Sequence, residues 1–213
     1  MSTEPATKRA IAFIDGQNLF HAVKNAFGYT YPNYNVQLLA QAICNQEGWS
    51  LSQTRFYTGV PEARDNTVWH GFWQLKLGAM RRLRHIHVFS RSLKYQNKEL
   101  TYPDGSKCTV PVGQEKGIDV RIAIDIIALA FHDKYDVALV FSQDQDLSET
   151  ATELRVIARS QNRWIKIASA FPNNNVKKHL NNKGIKNTDW KPFEKSLYDA
   201  CLDPADYRRP IVP

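Results

Sequence analysis

The chain has 213 residues, 43% hydrophobic and 23% charged, a composition that excludes a disordered protein and suits one α/β domain. Its 28 Lys and Arg against 21 Asp and Glu give a net charge of +7, which favours an anionic partner such as nucleic acid. No apolar run reaches the roughly 18 residues of a membrane span, and the polar N-terminus lacks the apolar core of a signal peptide. Three widely separated cysteines form neither a zinc spacing nor a disulfide framework, so we expect a cytoplasmic protein.

Hydrophobic periodicity and turn residues predict alternating strands and helices. In chain order these are a strand (9–14), two helices (19–28, 35–48), a strand (53–60), a helix (66–85), a strand (86–95), a helix (116–132), a strand (135–142), a helix (146–160) and a strand (163–170). The helix over 116–132 is too apolar for a surface position. The alternation predicts an α/β fold: a three-layer α/β/α sandwich with a central, mostly parallel sheet.

Two segments fall outside this alternation. Residues 93–112 are predicted to form a hairpin-like excursion, because they contain the turn signal Pro-Asp-Gly. We see no domain boundary, so we predict one folded domain over 1–172. A basic C-terminal extension over 173–213 is expected to pack a short helix on that same domain.

Aspartates follow two of the predicted strands. Asp15 ends the first strand, and Asp144 and Asp146 follow the strand over 135–142. Ligands bind open α/β sheets at the carboxyl ends of strands, where the winding direction reverses. If these strands are neighbours, the three carboxylates converge, and Asp119 near the start of its helix could reach the same crevice.

Each aspartate also has a purely structural interpretation. Asp15 could belong to a tight turn with Asn18 capping the next helix. Asp146 and Glu149 have capping-box spacing, and Asp119 would suit a first helical turn. Clustered carboxylates repel one another, however, unless a cation neutralises them, and Mg²⁺ or Mn²⁺ is the hard cation that prefers oxygen ligands.

A metal ion within a basic surface is what phosphodiester hydrolysis requires, because the ion polarises a phosphate oxygen and activates water. The chain contains neither GxxxxGK[ST] nor GxGxxG. Their absence disfavours a P-loop NTPase or a nucleotide-binding dehydrogenase.

Three stretches resemble the motifs of NYN-domain proteins, a family that includes the LabA-like proteins and belongs to the PIN-like superfamily of metal-dependent nucleases. They are FIDGQNL at 13–19, EKGIDVRIAIDI at 115–126 and YDVALVFSQDQDL at 135–147. The resemblance implies a PIN-like (NYN) fold over 1–172 with a Mg²⁺-dependent ribonuclease site. Gln143 and Leu147 stand where the family often has a glycine and an aromatic residue.

The resemblance also assigns site residues. Asp15, Asp119, Asp144 and Asp146 match the acidic metal-binding and catalytic positions, and Asn18 matches a polar partner near the metal or phosphate. Other residues stay open at this stage. Asp125 could make a structural ion pair or hold a residue of the site in position. Glu115 and Lys116 could border the site or lie in a solvated loop.

The helix over 66–85 carries aromatic residues, which we assign mainly to the core, together with several cations. Cations interleaved with aromatic residues can hold phosphates while bases stack. The candidate substrate-binding residues, including two from the basic segment near the C-terminus, are Lys76, Arg81, Arg82, Arg84, Lys177 and Lys178. None of the six histidines has a metal-ligand spacing.

The sequence therefore predicts a metal-dependent endoribonuclease that uses Mg²⁺ or Mn²⁺, acts on RNA and is free of membranes. A homodimer is a further expectation, since one site on one basic face would hold RNA poorly. Two alternatives stay open: a non-catalytic RNA-binding or regulatory module, and a metal-dependent nuclease or phosphatase acting on DNA or nucleotides.

Overall fold

The structure, a computed structural model, describes residues 3–102, 104–174 and 183–208. In chain order its elements are β1 (Lys8–Asp15), α1 (Gly16–Phe27), α2 (Val36–Glu47), β2 (Trp49–Val60), α3 (Thr67–Arg81), β3 (Ile86–Ser92), β4 (Lys94–Thr101), β5 (Lys107–Gln114), α4 (Ile118–Phe131), β6 (Val137–Phe141), α5 (Ser148–Ser160), β7 (Lys166–Pro172), β8 (Asp189–Phe193) and α6 (Lys195–Asp199). Over these described residues, no helix combines the length and apolarity needed to cross a membrane.

The main sheet has the order β3-β2-β1-β6-β7-β8 among the described residues, and all its neighbouring strands are parallel. Alternate residues of β1 face opposite layers. Ala12 and Ile14 pack with α1, α2 and α3, whereas Ile11 and Phe13 pack with α4 and α5. The predicted three-layer α/β sandwich with a parallel sheet is therefore confirmed.

Local signals set the ends of the first two helices. The side chain of Asp15 caps α1 by accepting a hydrogen bond from the backbone N–H of Asn18, and Asn35 caps α2 in the same way. Each helix ends at a glycine in the left-handed region, Gly28 with φ +84° and Gly48 with φ +70°. Glycine adopts this conformation without the steric cost of a Cβ atom.

Two expectations about the elements need correction. Helix α4 lies on the outside of the sheet, and Val120, Ile124 and Phe131 are exposed although the helix was expected to be buried. The C-terminal extension supplies a strand as well as the short helix, because β8 pairs with β7. The homodimer stays a prediction.

Lys76 is a third correction, because it is not a surface cation. Its side chain is 1% exposed. The ammonium group donates to Asp203 Oδ2 at 2.8 Å and to the backbone oxygen of Tyr34 at 3.0 Å. It also lies 5.1 Å from the centroid of the Tyr207 ring. Lys76 therefore joins α3 to the C-terminal segment and is not available to RNA.

An ion pair at the start of β1 joins two neighbouring strands. The Arg9 guanidinium donates to both carboxylate oxygens of Asp136, at 3.0 and 2.9 Å, and to Asp133 Oδ1 at 2.6 Å. Burial raises the pKa of Asp136, but the hydrogen bonds from Arg9 outweigh burial and hold that pKa below its ordinary value.

Replacing Asp136 with Asn should lower the free energy of unfolding by about 1 to 2 kcal/mol at neutral pH, since a charge-assisted hydrogen-bonded pair is lost. A carboxyl group whose pKa is depressed by folding stabilises the protein above its unfolded pKa, and this stabilisation disappears as pH falls through the folded pKa. The difference between wild type and Asp136→Asn in urea denaturation should therefore shrink below about pH 4. A difference that stays constant down to acid pH would contradict the ion-pair explanation.

Candidate active site

The acidic residues meet at the switch point of the sheet. Strand β1 has β2 and β3 on one side and β6, β7 and β8 on the other, so the winding direction reverses between β1 and β6. Ile14 pairs with Phe141 at the carboxyl ends of these strands, and Asp15 is the next residue of β1. The expectation that the two aspartate-bearing strands are neighbours is thus confirmed.

Five carboxyl groups, named here the acidic crevice, act on one another electrostatically: Asp15, Glu115, Asp119, Asp144 and Asp146. Asp15 is 4% exposed. Burial, followed by repulsion from Asp119 and Asp144, raises its pKa to about 7, although the Asn18 backbone N–H opposes this. Burial and repulsion from Asp144 and Asp146 also raise the pKa of Asp119. Such mutual repulsion makes the crevice a place where a cation is favoured.

Glu115 is a member of the crevice that the sequence left undecided. Burial and repulsion from Asp15 raise its pKa to about 8. Its Oε2 atom is buried and has no hydrogen-bond partner. Only its position within the EKGID stretch pointed to the site, because a sequence does not reveal that a loop residue is buried. A buried carboxylate oxygen without a partner is a candidate ligand for a cation.

Asn18 and Asp144 have different local roles from those expected. Asn18 does not cap α1, because its Oδ1 accepts a hydrogen bond from the backbone N–H of Gln143 at 2.9 Å. Asn18 thus fastens the loop after β6 to the first turn of α1. Asp144, rather than Asp146, is the capping residue: its Oδ1 accepts from the Asp146 N–H at 3.0 Å at the start of a short 3₁₀ helix.

The two departures from the family pattern have clear structural roles. Leu147 is buried in the core between the sheet and α4 and α5. The Gln143 side chain donates to the backbone oxygen of Lys183 at 2.9 Å. Gln143 therefore links the acidic loop to the segment before β8.

The donor set of the crevice fits a hard divalent cation. All five side chains offer carboxylate oxygens, the ligands that Mg²⁺ and Mn²⁺ prefer. Among the residues described, no three His, Cys, Asp or Glu side chains are grouped closely enough to surround one ion directly. Mg²⁺ commonly keeps several waters and binds through only one or two carboxylates. An ion held partly through water therefore suits this arrangement.

Asp125 lies behind the crevice in its own network. Its carboxylate accepts from Tyr57 Oη at 2.8 Å and pairs with Arg55 at 3.1 Å and with Arg121 at 3.0 Å. These three donors account for its burial, since a buried charge needs partners. Of the two interpretations that the sequence left open, the structural one explains every observed contact.

Three of the predicted substrate-binding cations, Arg81, Arg82 and Arg84, lie near the outer strand β3, and their contact with RNA stays a prediction. Arg81 is exposed and donates to Ser90 Oγ at 3.1 Å along the outer strand β3. Arg82 and Arg84 are exposed in the connection that precedes β3. That strand begins at Ile86, level with Ala12, which lies three residues before Asp15. Lys76 is buried, as described above, and Lys177 and Lys178 lie outside the described residues.

The parallel sheet between two helical layers, with carboxyl groups at its switch point, makes this an α/β protein whose fold is consistent with the PIN-like class. The NYN-domain model matches residues 9–183, and the chain belongs to the NYN-domain family within the PIN-like nuclease superfamily. NYN domains generally bind or act on RNA, and PIN-like nucleases generally use divalent metal ions.

Comparisons with curated proteins and with solved structures do not indicate a function for this chain. No curated protein matches the chain. Among solved structures, a protein of unknown function from Vibrio parahaemolyticus is 18% identical, with 79% of this chain and 84% of that chain covered and a TM-score of 0.44. A ribokinase from Giardia lamblia is 13% identical, with 88% and 58% covered and a TM-score of 0.37.

Proposed function

We propose that this protein is a metal-dependent endoribonuclease that hydrolyses RNA phosphodiester bonds at the acidic crevice. The observation that supports the proposal is the gathering of five carboxyl groups at one switch point in a chain of net charge +7. A module that only bound phosphate would gain nothing from clustered carboxylates, because they repel a polyanion. The same carboxylates would instead favour phosphate binding if they held a divalent cation between themselves and the phosphate.

Asp15, Asp119, Asp144 and Asp146 are the residues proposed to hold one or two Mg²⁺ or Mn²⁺ ions, some of them through water, with Glu115 as an additional oxygen donor. When bound, the ion supplies Lewis acidity and neutralises charge at the scissile phosphate. Asn18 acts as a positioning residue, because its bond to the Gln143 N–H holds the loop that carries Asp144. Water attacks phosphorus in line with the leaving 3′-oxygen, a crevice carboxylate accepts the proton of that water, and the 3′-oxygen takes a proton from solvent as its bond to phosphorus breaks. The products carry 5′-phosphate and 3′-hydroxyl ends, and no protein nucleophile is required.

The proposal is tested by incubating purified protein with labelled single-stranded RNA and DNA in Mn²⁺ or in EDTA. Wild type should cut RNA in Mn²⁺ and leave it intact in EDTA. Asp144→Asn should slow cleavage at least about 100-fold, because it removes one of the negative charges that would hold the cation at the phosphate. Glu153→Gln is the matched control, since it removes an exposed carboxylate on α5 and should cut normally.

Three outcomes would contradict this proposal. RNA that is bound but stays intact in Mn²⁺ would indicate the non-catalytic RNA-binding module. DNA cut as fast as RNA would indicate a general metal-dependent nuclease, because only contacts to the 2′-hydroxyl distinguish the two polymers. If the Asp144→Asn variant were as active as wild type, the acidic crevice would not be the catalytic site.

A further inference from the structure

A cavity of about 260 Å³ lies beside the acidic crevice and opens to solvent. Aromatic and apolar side chains from three separate parts of the chain form its walls: Phe20 from α1, Trp69 from α3, and Leu93 and Tyr95 from the start of the β4–β5 hairpin. The sequence suggested that Trp69 belongs to the core, yet it is only partly buried and faces this space. The proposed hydrolysis does not use this cavity.

The cavity and the crevice share a wall. Gly16, which lines the cavity, directly follows Asp15 in the chain. Gly59 of β2 also lies between the cavity and the crevice. A Cβ atom added to Gly59 would lie 2.3 Å from Leu93 Cδ2 and 3.0 Å from Glu115 Oε2. Leu93 of the cavity and Glu115 of the crevice therefore adjoin each other over the same face of Gly59, where there is no room for a side chain. A group held in the cavity would be next to a phosphate at the crevice.

The lining favours a flat aromatic ring over a phosphate. His21 is the basic side chain among the described residues around the cavity, and none of them is Lys or Arg, so the lining offers an anion no permanently charged partner. Two amide side chains add hydrogen-bonding groups at the wall. Asn66 is held by its bond to the Trp69 N–H at 3.0 Å, and Gln17 donates to the Gly59 backbone oxygen at 3.3 Å. Aromatic walls with a few fixed polar groups are what single-stranded RNA readers use to hold a base.

We propose that this cavity binds one unpaired nucleobase of the RNA, adjacent to the phosphate that is cut, so that the substrate is single-stranded at the cleavage site. The inference rests on the proposed function for the identity of the polymer. A base in a duplex is stacked and paired on both sides, and it cannot enter a walled cavity unless it is extruded. The cavity therefore selects for unpaired RNA without reading a long sequence.

Tyr95 is the residue best suited to a test. It lies on the hairpin rather than in the core, and its ring is close to Gly113, where an added Cβ would approach the ring to 3.2 Å. Removing the ring therefore opens one wall of the cavity with little effect on folding. Tyr102 is a matched control, because it is a tyrosine on the same hairpin, is 52% exposed and does not line the cavity.

Binding should be measured in EDTA, where nothing is cut, by fluorescence anisotropy and by quenching of intrinsic tryptophan fluorescence. The probes are a single-stranded oligoadenylate, the same strand in a duplex, and an abasic oligomer of equal length and charge. Oligoadenylate should bind about 10-fold more tightly than the abasic oligomer or the duplex, because stacking adds to backbone contacts. Tyr95→Ala should remove most of this preference and leave abasic binding unchanged, whereas Tyr102→Ala should behave like wild type.

Equal binding of oligoadenylate and the abasic oligomer by wild type would overturn the cavity proposal, as would a Tyr95→Ala variant that keeps the preference. Carboxylate repulsion in EDTA acts equally on oligoadenylate and on the abasic oligomer, because these two have equal length and charge, and it leaves their ratio intact. The readout is independent of catalysis. If RNA stayed intact in Mn²⁺ but oligoadenylate were clearly preferred, the nuclease proposal would be rejected and the base site kept. If RNA were cut normally but no preference were seen, the base site would be rejected and the nuclease proposal kept.

Discussion

Replacing Asp15 with Asn should slow RNA cleavage about 1000-fold and at the same time make the metal-free protein more stable. Asp15 is almost fully buried, so its negative charge is poorly screened by water and would attract a cation strongly. Asparagine has nearly the same shape and can still accept the hydrogen bond from the Asn18 N–H that begins α1. The substitution therefore removes the charge and keeps the helix cap.

The gain in stability follows from the direction of the pKa shift. Burial raises the pKa of Asp15 from 3.8 to about 7. A carboxyl group with a raised folded pKa keeps its proton in the native state, and the resulting stabilisation is lost as pH rises from about 4 to about 7. Above that range the native protein carries a buried, repelled charge that Asn lacks. The variant should gain about 2 to 4 kcal/mol over wild type at pH 8 and almost nothing near pH 4.

Urea denaturation in EDTA at several pH values measures this gain, and the cleavage assay in Mn²⁺ measures the loss. Asp125→Asn is the contrasting control. That aspartate is buried with Arg55, Tyr57 and Arg121 as donors, so its neutralisation should destabilise the protein. If Asp15→Asn lowered stability at pH 8, or cut RNA at the wild-type rate, Asp15 would be structural only.

Lys76→Ala should destabilise the protein by about 3 to 5 kcal/mol, because it leaves the Asp203 carboxylate near the core without its partner. A loss of this size is a large fraction of the roughly 5 to 15 kcal/mol that keeps a domain folded. Combining Lys76→Met with Asp203→Leu should recover much of the loss, since an apolar pair of similar volume can replace a buried ion pair.

Thermal and urea unfolding of the two variants provide the measurement, with Lys98→Ala on the exposed face of β4 as the control that should leave stability unchanged. Folded Lys76→Ala protein with wild-type stability but weakened RNA binding would contradict the buried ion pair. It would return Lys76 to the substrate-binding role first expected of it.

The parallel sheet and four of the crevice residues could be predicted because their signals are local. Asp15, Asp144 and Asp146 each follow an apolar strand, and the rule for parallel sheets brings such ends together. Asp119 begins the helix that leads into the second of these strands. The same rule could not reveal Glu115, which lies in a loop, because its burial depends on neighbours from β1 and β2.

The failures share one physical cause, which is that the deciding contact is distant in sequence. The helical position of Lys76 is that of an ordinary cation, and its partner Asp203 is 127 residues away. Strand β8 is short, with Lys191 and Pro192 among its five residues, and its stabilising contacts are pairing with β7, an ion pair with Glu47 of α2 and burial of Phe193 in the core. No periodicity in a short window contains that information.

The β4–β5 hairpin projects from this fold as a nearly separate part. It is anchored where the Leu93 N–H donates to the Val60 oxygen at 2.9 Å, and most of its residues are exposed. Changes in the length or composition of such a segment cost little folding free energy. The outer part of the hairpin can therefore change in length or composition with little effect on the stability of the parallel sheet.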